Sequence, residues 1–181
     1  MEVRNLAGRE LFGKSVIPRS QTINGKNAGM SFVVSDASGV YEIASQQPGD
    51  ETPKQTVPPN YDFKLPLSVG TSWEGQDETD SDAFLDKVQV KTKCLIEKLD
   101  DEVTVPAGTY KATKVSCTGS AQRDMKMQGL TTTVVESHTW YAPDIGLVKS
   151  IDNEDIRNAN SVILHSIHGT RDLVSMGSEK E

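Results

Sequence analysis

Apolar residues recur at every second position along this chain, in short runs broken by Gly, Pro, Asn and Asp. In "YDFKLPLSVG" Tyr61, Phe63, Leu65 and Leu67 fall on one side, with Asp62, Lys64 and Ser68 on the other. In "KVQVKTKCLIEKL" Val88, Val90, Thr92, Cys94 and Ile96 alternate with Gln89, Lys91, Lys93 and Glu97, and Leu95 breaks the pattern. A period of two over this length predicts strands in a sheet with one wet face. The segments "ELFGKSVIP", "MSFVVSD", "GVYEIAS", "TYKATKVSC", "LTTTVVESHTWY", "IGLVKSI" and "SVILHSI" read the same way, for about nine strands in all. Helical periodicity is nearly absent; "SDAFLDKV" has room for one short turn. The expected fold is mainly β: a strongly curved antiparallel sheet, half-barrel or barrel-like, with very little helix.

The breaks between runs set the rest of the organisation. A single β domain over 1–181 is expected. Residues 46–60, "QQPGDETPKQTVPPN", hold four prolines and no apolar pattern, and predict an irregular loop or partial lid. Residues 77–82, "DETDSD", form an acidic loop, "DNEDIRN" at 152–158 a polar connection, and 175–181 a frayed end. "DASG" at 36–39 is a hairpin signal. After Trp140 and Tyr141, Ala142-Pro143 ends a strand, Pro143-Asp144 favours a turn, and Gly146 opens the next strand. Trp140 and Tyr141 then point to opposite faces. One plugs the end of the core; the other covers the outer face or serves as a platform for a ligand.

Three motifs occur in order: "LPLSVGTSWEG" (65–75), "EVTVPAGTYKATKV" (102–115) and "TWYAPDIGLVKS" (139–150). Together they resemble an uncharacterised family of bacterial envelope proteins, often lipoproteins, known only as a domain of unknown function. The resemblance is good over residues 61–150 and loose on the flanks. It implies a curved sheet like the half-barrel of the LolA lipoprotein carrier. It also implies an extracytoplasmic location, periplasmic or membrane-anchored in the full-length protein. It brings no known catalytic or binding residues. Within the motifs, Pro106 and Gly108 suit a sharp bend or bulge, and Gly70 precedes a turn with Trp73 just after it.

Composition narrows the partners. The formal net charge is −7 and Lys and Arg are scattered, so the basic footprint of a nucleic-acid binder is missing. No apolar run approaches a membrane span, and residues 1–20 lack the apolar stretch of a signal peptide. The start reads like the middle of a domain. A monomer is expected.

Candidate chemistry is thin. Cys94 and Cys117 have no ligand neighbours at zinc spacing. They are either two buried thiols or, if their strands are adjacent, a disulfide. His165 and His168 are three apart on a strand and face opposite ways. His138 would meet Cys117 if 110–142 folds as one hairpin, which would make a Cys–His pair imaginable. No Gly-x-Ser-x-Gly, P-loop, dinucleotide or His-Glu-x-x-His motif occurs. Asp77, Glu78, Asp80 and Asp82 lack the Gly and terminal Glu of an EF-hand. No metal, cofactor or catalytic residue is therefore expected. The expected role is a non-catalytic envelope protein that binds a lipid or other hydrophobic molecule on a concave face, near Trp73, Trp140 or Tyr141. The alternative is a structural or protein-interaction module with no small ligand; an enzyme ranks last.

Overall fold

The computed structural model describes residues 2–79, 88–125 and 129–176, and every regular element in them is a strand. The chain divides into two compact units, Met1–Pro66 and Leu67–Glu181, where the sequence predicts one domain. Each unit carries its own antiparallel sheet, and neither sheet closes into a barrel.

The first unit contains β1 (Glu2–Asn5), β2 (Arg9–Leu11), β3 (Lys14–Ile23), β4 (Lys26–Asp36), β5 (Gly39–Gln46) and β6 (Lys54–Lys64). The order is β1-β3-β4-β5-β6, with β2 also on β3. "ELFGKSVIP" is not one strand, because Phe12 and Gly13 take positive φ and reverse the chain. Asn24-Gly25 makes the β3–β4 turn in the same way, and Ala37-Ser38 turns β4 into β5 as "DASG" predicts. The core is Val16, Phe32, Val34, Tyr41, Ile43 and Ala44.

The Pro-rich segment is shorter than expected, because β6 already begins at Lys54. β6 is an edge strand, where missing proline donors face outward. Its ladder skips from Ala44↔Gln55 to Glu42↔Asn60, so Pro58 and Pro59 sit in a bulge. β6 stops at Lys64, and Leu65–Gly70 is a connection rather than a continued strand.

The second unit contains β7 (Ser72–Thr79), β8 (Val88–Val105), β9 (Gly108–Met125), β10 (Gly129–Ala142), β11 (Gly146–Asn158) and β12 (Ile163–Asp172). The order is β12-β11-β10-β9-β8-β7. Pro106-Ala107 is a hairpin reversal rather than a bend within a strand. The β8 irregularities lie earlier, between Ile96 and Asp101, with Asp100 at φ 52°. Asp144 (φ 61°) and Gly146 (φ 87°) make the predicted corner after Trp140. "DNEDIRN" is part of β11, not a connection. Its polar residues stay in the sheet through cross-strand pairs, Asp152 with Arg171 and Asn153 with His168. Residues 80–82 of the acidic segment, 81–87 of the candidate helical turn and 177–181 of the tail lie outside the described residues.

Registry through the second sheet defines two faces. Trp73, Cys94, Cys117, Ser137 and Asp152 stand in one row, so they share a face. Leu95, Ser116, His138 and Ile151 stand in the adjacent row on the other face. Burial changes sides along the strands. At one end Val90, Thr92, Cys94, Ile96, Val115, Thr133 and Val135 are buried on the Trp73 face. At the other, Val103, Val105, Ala112, Trp140 and Ala142 are buried on the His138 face, clustered with Val148.

Candidate functional site

The Trp73 face begins at the turn that carries the first motif. Ser68 Oγ and Thr71 Oγ1 lie 2.8 Å apart, and Gly70 at φ 90° donates its N–H to the carbonyl of Ile96. This docks the start of β7 on β8 and sets Trp73 opposite Cys94. Cys94 is in turn opposite Cys117, with Cα atoms 4.0 Å apart and the two sulfurs bonded. The next row along the same face is Gly75, Thr92, Gly119 and Val135. A Cβ on Gly75 would lie 2.8 Å from Thr92 Oγ1, and one on Gly119 would lie 2.4 Å from the carbonyl oxygen of Lys91. The floor beside the indole is thus backbone, sulfur and small side chains. Trp73 is 5% exposed, and its Nε1–H has no hydrogen-bond partner.

Trp140 is differently placed. It stands on β10 opposite Lys114, on the other face and three strands from β7. Its Nε1–H donates to Asp101 Oδ2 at 2.8 Å, and the Lys114 ammonium lies 5.3 Å from its ring. Lys98 and Trp140 together hold the Asp101 carboxyl below the usual carboxylate range. Its ring packs with Val103, Val105, Ala112, Ala142 and Val148, as a core plug with its polar atom satisfied. Tyr141 alternates back to the Trp73 face, half-buried, opposite Thr113. The three expected aromatics therefore do not converge: Trp73 and Tyr141 share a face, and Trp140 is on the reverse.

Residues 110–142 do fold as a hairpin, but Cys117 faces Ser137, and His138 faces Ser116. A one-residue difference in register puts His138 on the opposite face from Cys117. The cluster that forms instead joins β8, β9 and β10. Ser116 Oγ donates to Glu97 and lies 2.8 Å from His138 Nδ1, and His138 Nε2 lies 3.1 Å from Glu136. Lys114 and Ser116 hold the Glu97 carboxyl low, so it accepts the single hydroxyl proton of Ser116. Ser116 Oγ thus lies between the Glu97 carboxylate and the His138 imidazole. The residues are mid-ladder, with Ser116 opposite His138 and Thr118 opposite Glu136. Sequence reasoning missed this cluster, because its spacing of nineteen to twenty-two residues is a product of hairpin register. His168 Nδ1 lies 2.9 Å from Asn153 Oδ1, and His165 is opposite Ile156 on the reverse face.

Two features of the first unit are weaker sites. Lys14 Nζ donates to Tyr41 OH at 2.7 Å, and Tyr41 OH donates to Asp36 at 2.6 Å. Tyr41 is buried, so this chain of bonds closes on itself. An open depression of about 350 Å³ is lined by Gln21, Asn27, Met30, Gln46 and Asp50 among others. Among the described residues no three His, Cys, Asp or Glu side chains are grouped to hold a metal ion, and no helix is long and apolar enough to cross a membrane.

Residues 87–161, from the start of β8 to the β11–β12 turn, match a family model. It is described as DUF3108-like. The matched segment contains the disulfide, the Trp140 plug and the Ser116–His138 cluster, while Trp73 precedes it. This is an uncharacterised domain family, so the match carries fold kinship without an activity. No curated protein and no solved structure matches the chain.

Proposed function

We propose that this chain is a non-catalytic module of the bacterial cell envelope that holds a lipid or other hydrophobic molecule against the Trp73 face. The observation that carries the reading is the make-up of that face around β7–β9. Trp73, Ile96, Val115 and the disulfide make this face apolar, and Trp73 keeps an indole N–H with no hydrogen-bond partner. Such a surface suits an apolar chain better than a charged metabolite. An extracytoplasmic location is supported by the disulfide, since such bonds persist in oxidising compartments. The resemblance to envelope lipoproteins and the LolA half-barrel points the same way.

A structural or protein-interaction role has one observation in its favour: Val162, just before edge strand β12, and Ile163 and Leu164 at its start are exposed at 55%, 51% and 42%. Native mass spectrometry of protein purified from its own cells distinguishes the two readings. A co-purifying lipid, with saturable binding of an apolar fluorescent probe near one to one, is the expected result. Absence of both would leave the interaction role.

A further inference from the structure

We infer that the open depression in the first unit is a binding site for a neutral sugar, held by Ser20, Asn27 and Gln46 around Met30. The site is built wholly from the first unit, so it stands or falls independently of the Trp73 face.

Register puts the polar groups together. Ser20 is opposite Met30, and Met30 is opposite Gln46, so the three form a row across β3, β4 and β5. They lie on the same face as Phe32, two residues beyond it along β4, where the core gives way to the depression. Thr22 and Asn27 pair next, past a bulge that leaves Ala28 unpaired. The opposite wall is the turn Gln47-Pro48-Gly49-Asp50, with Pro48 second and Gly49 at φ 92° third, as a type II turn requires. That turn is held firmly. Asp50 N–H donates to the Gln47 carbonyl at 3.0 Å, Gln47 N–H to Asp50 Oδ2 at 3.0 Å, and Gln46 Nε2 to the Asp50 carbonyl at 2.9 Å. Gly29 lets it approach: a Cβ there would lie 2.8 Å from the Gln46 carbonyl oxygen. The enclosed space, about 350 Å³, is at the small end of ligand sites and suits a mono- or disaccharide.

The groups facing this space have bonds to spare. Among the described residues the Ser20 hydroxyl has no partner. Asn27 Oδ1 accepts from Gly29 N–H at 2.9 Å, which leaves its NH₂ group. Gln46 gives one amide hydrogen to Asp50 and keeps its Oε1 and second hydrogen. Hydroxyl and amide side chains both donate and accept, as sugar hydroxyls do, and the match needs no charge on either side. Met30 and the Pro48 ring supply apolar area for the C–H face of a sugar ring. An anion fits poorly, because Asp50 carries the one charge among the described lining residues, and Lys54 and Gln47 N–H already bond its oxygens. An apolar ligand would strip water from Ser20, Asn27 and Gln46 and return nothing. An extended peptide fits less well than a sugar, because β3, β4 and β5 are interior strands whose ladders are paired on both sides.

Methyl glycosides of glucose, galactose, mannose and N-acetylglucosamine, titrated into the whole ¹⁵N-labelled protein, test the inference. At least one is expected to move the backbone peaks of Gly29 and Gly49 and the side-chain amide peaks of Asn27 and Gln46. The shifts should saturate with a Kd of about 1 mM or tighter, and the two indole peaks of the second unit should stay in place. Ser20→Ala removes a hydroxyl that the fold does not use. It is expected to keep the melting temperature and weaken binding about fivefold, the worth of one net hydrogen bond. Oxidising the bound sugar to its uronic acid is expected to weaken binding, because Asp50 lines the site. Equal or tighter binding of the uronic acid would overturn the choice of a neutral ligand. Saturable shifts confined to other residues, or full affinity in Ser20→Ala, would overturn the site. Shifts at Gly29 and Gly49 with N-acetyl-dialanine amide and none with the glycosides would overturn the sugar in favour of a peptide. No saturable shift with any of the four glycosides would overturn the inference outright.

Discussion

Reduction of the Cys94–Cys117 bond is expected to destabilise the second unit and leave the first untouched. The bond closes a loop with a sequence separation of 23. In the chain-entropy treatment a loop of that size removes about 11 cal/mol/K from the unfolded ensemble, or about 3 kcal/mol at 25 °C. The folded state should survive reduction, because the β8–β9 ladder continues on both sides of the bridge, from Thr92↔Gly119 to Val105↔Gly108. Comparing oxidised and reduced wild-type protein keeps every side chain and isolates the cross-link. Both tryptophans lie in the second unit, so indole fluorescence reports that unit alone; with Tyr110 and Tyr141 replaced by Phe, the remaining tyrosines, Tyr41 and Tyr61, report the first. Urea unfolding followed by indole fluorescence should lose about 3 kcal/mol on reduction, with a larger m-value because the reduced unfolded chain is more open. The melting temperature of that transition should fall by about 10 °C. A loss below about 1 kcal/mol would refute the entropic estimate. An equal shift in the tyrosine transition would refute the independence of the two units.

Trp140→Phe should cost about 2 kcal/mol, the order of a hydrogen bond to a charged group plus lost packing, and Asp101→Asn less than half of that, since it keeps an acceptor; urea unfolding compares them. Gly39→Ala should be among the most damaging single changes in the first unit. Gly39 has φ 140° and a Cβ there would lie 2.2 Å from the carbonyl oxygen of Phe63. A loss of about 2 kcal/mol or more is expected, and a wild-type melting temperature would contradict it. Ser38 and Tyr41 hold the Asp36 carboxyl at about 2, against an ordinary 3.8. A carboxylate whose pKa is lowered by folding contributes stability that is complete above the ordinary value and is lost as pH falls toward the folded one. Asp36→Asn should therefore flatten the stability of the first unit between those two values relative to wild type, as measured by tyrosine signals in urea at fixed pH.

Much of this architecture was legible in the alternation of residues. The β8 pattern from Val88 to Glu97 and the corner after Trp140 are set by local chemistry, and the structure keeps both. Where the strand reading failed, a tertiary partner decided the outcome. Pro58 and Pro59 fit a strand because β6 is an edge, and Asp152 and Asn153 fit one because β12 supplies Arg171 and His168. Phe12-Gly13 and Asn24-Gly25 were signals present in the sequence that the period-two pattern hid. The site was less legible. That Trp73 stands beside a turn is local, but its missing acceptor depends on what five other strands bring to that face. Ser116 and His138 meet only through register, which no spacing rule predicts.

The switch of burial from the Trp73 face to the His138 face constrains how these strands can have grown. Thr133 and Val135 are inside on one face, Trp140 and Ala142 on the other, so both halves of β10 have a phase to protect. An insertion of one residue between them would turn one half inside out. An insertion of two would not. β8 carries the outcome: between Ile96↔Val115 and Asp101↔Ala112 it runs two residues longer than β9, five steps against three, and the inward positions on either side keep their phase. In a lineage of such sheets, length changes at the middle of the strands should come in even numbers.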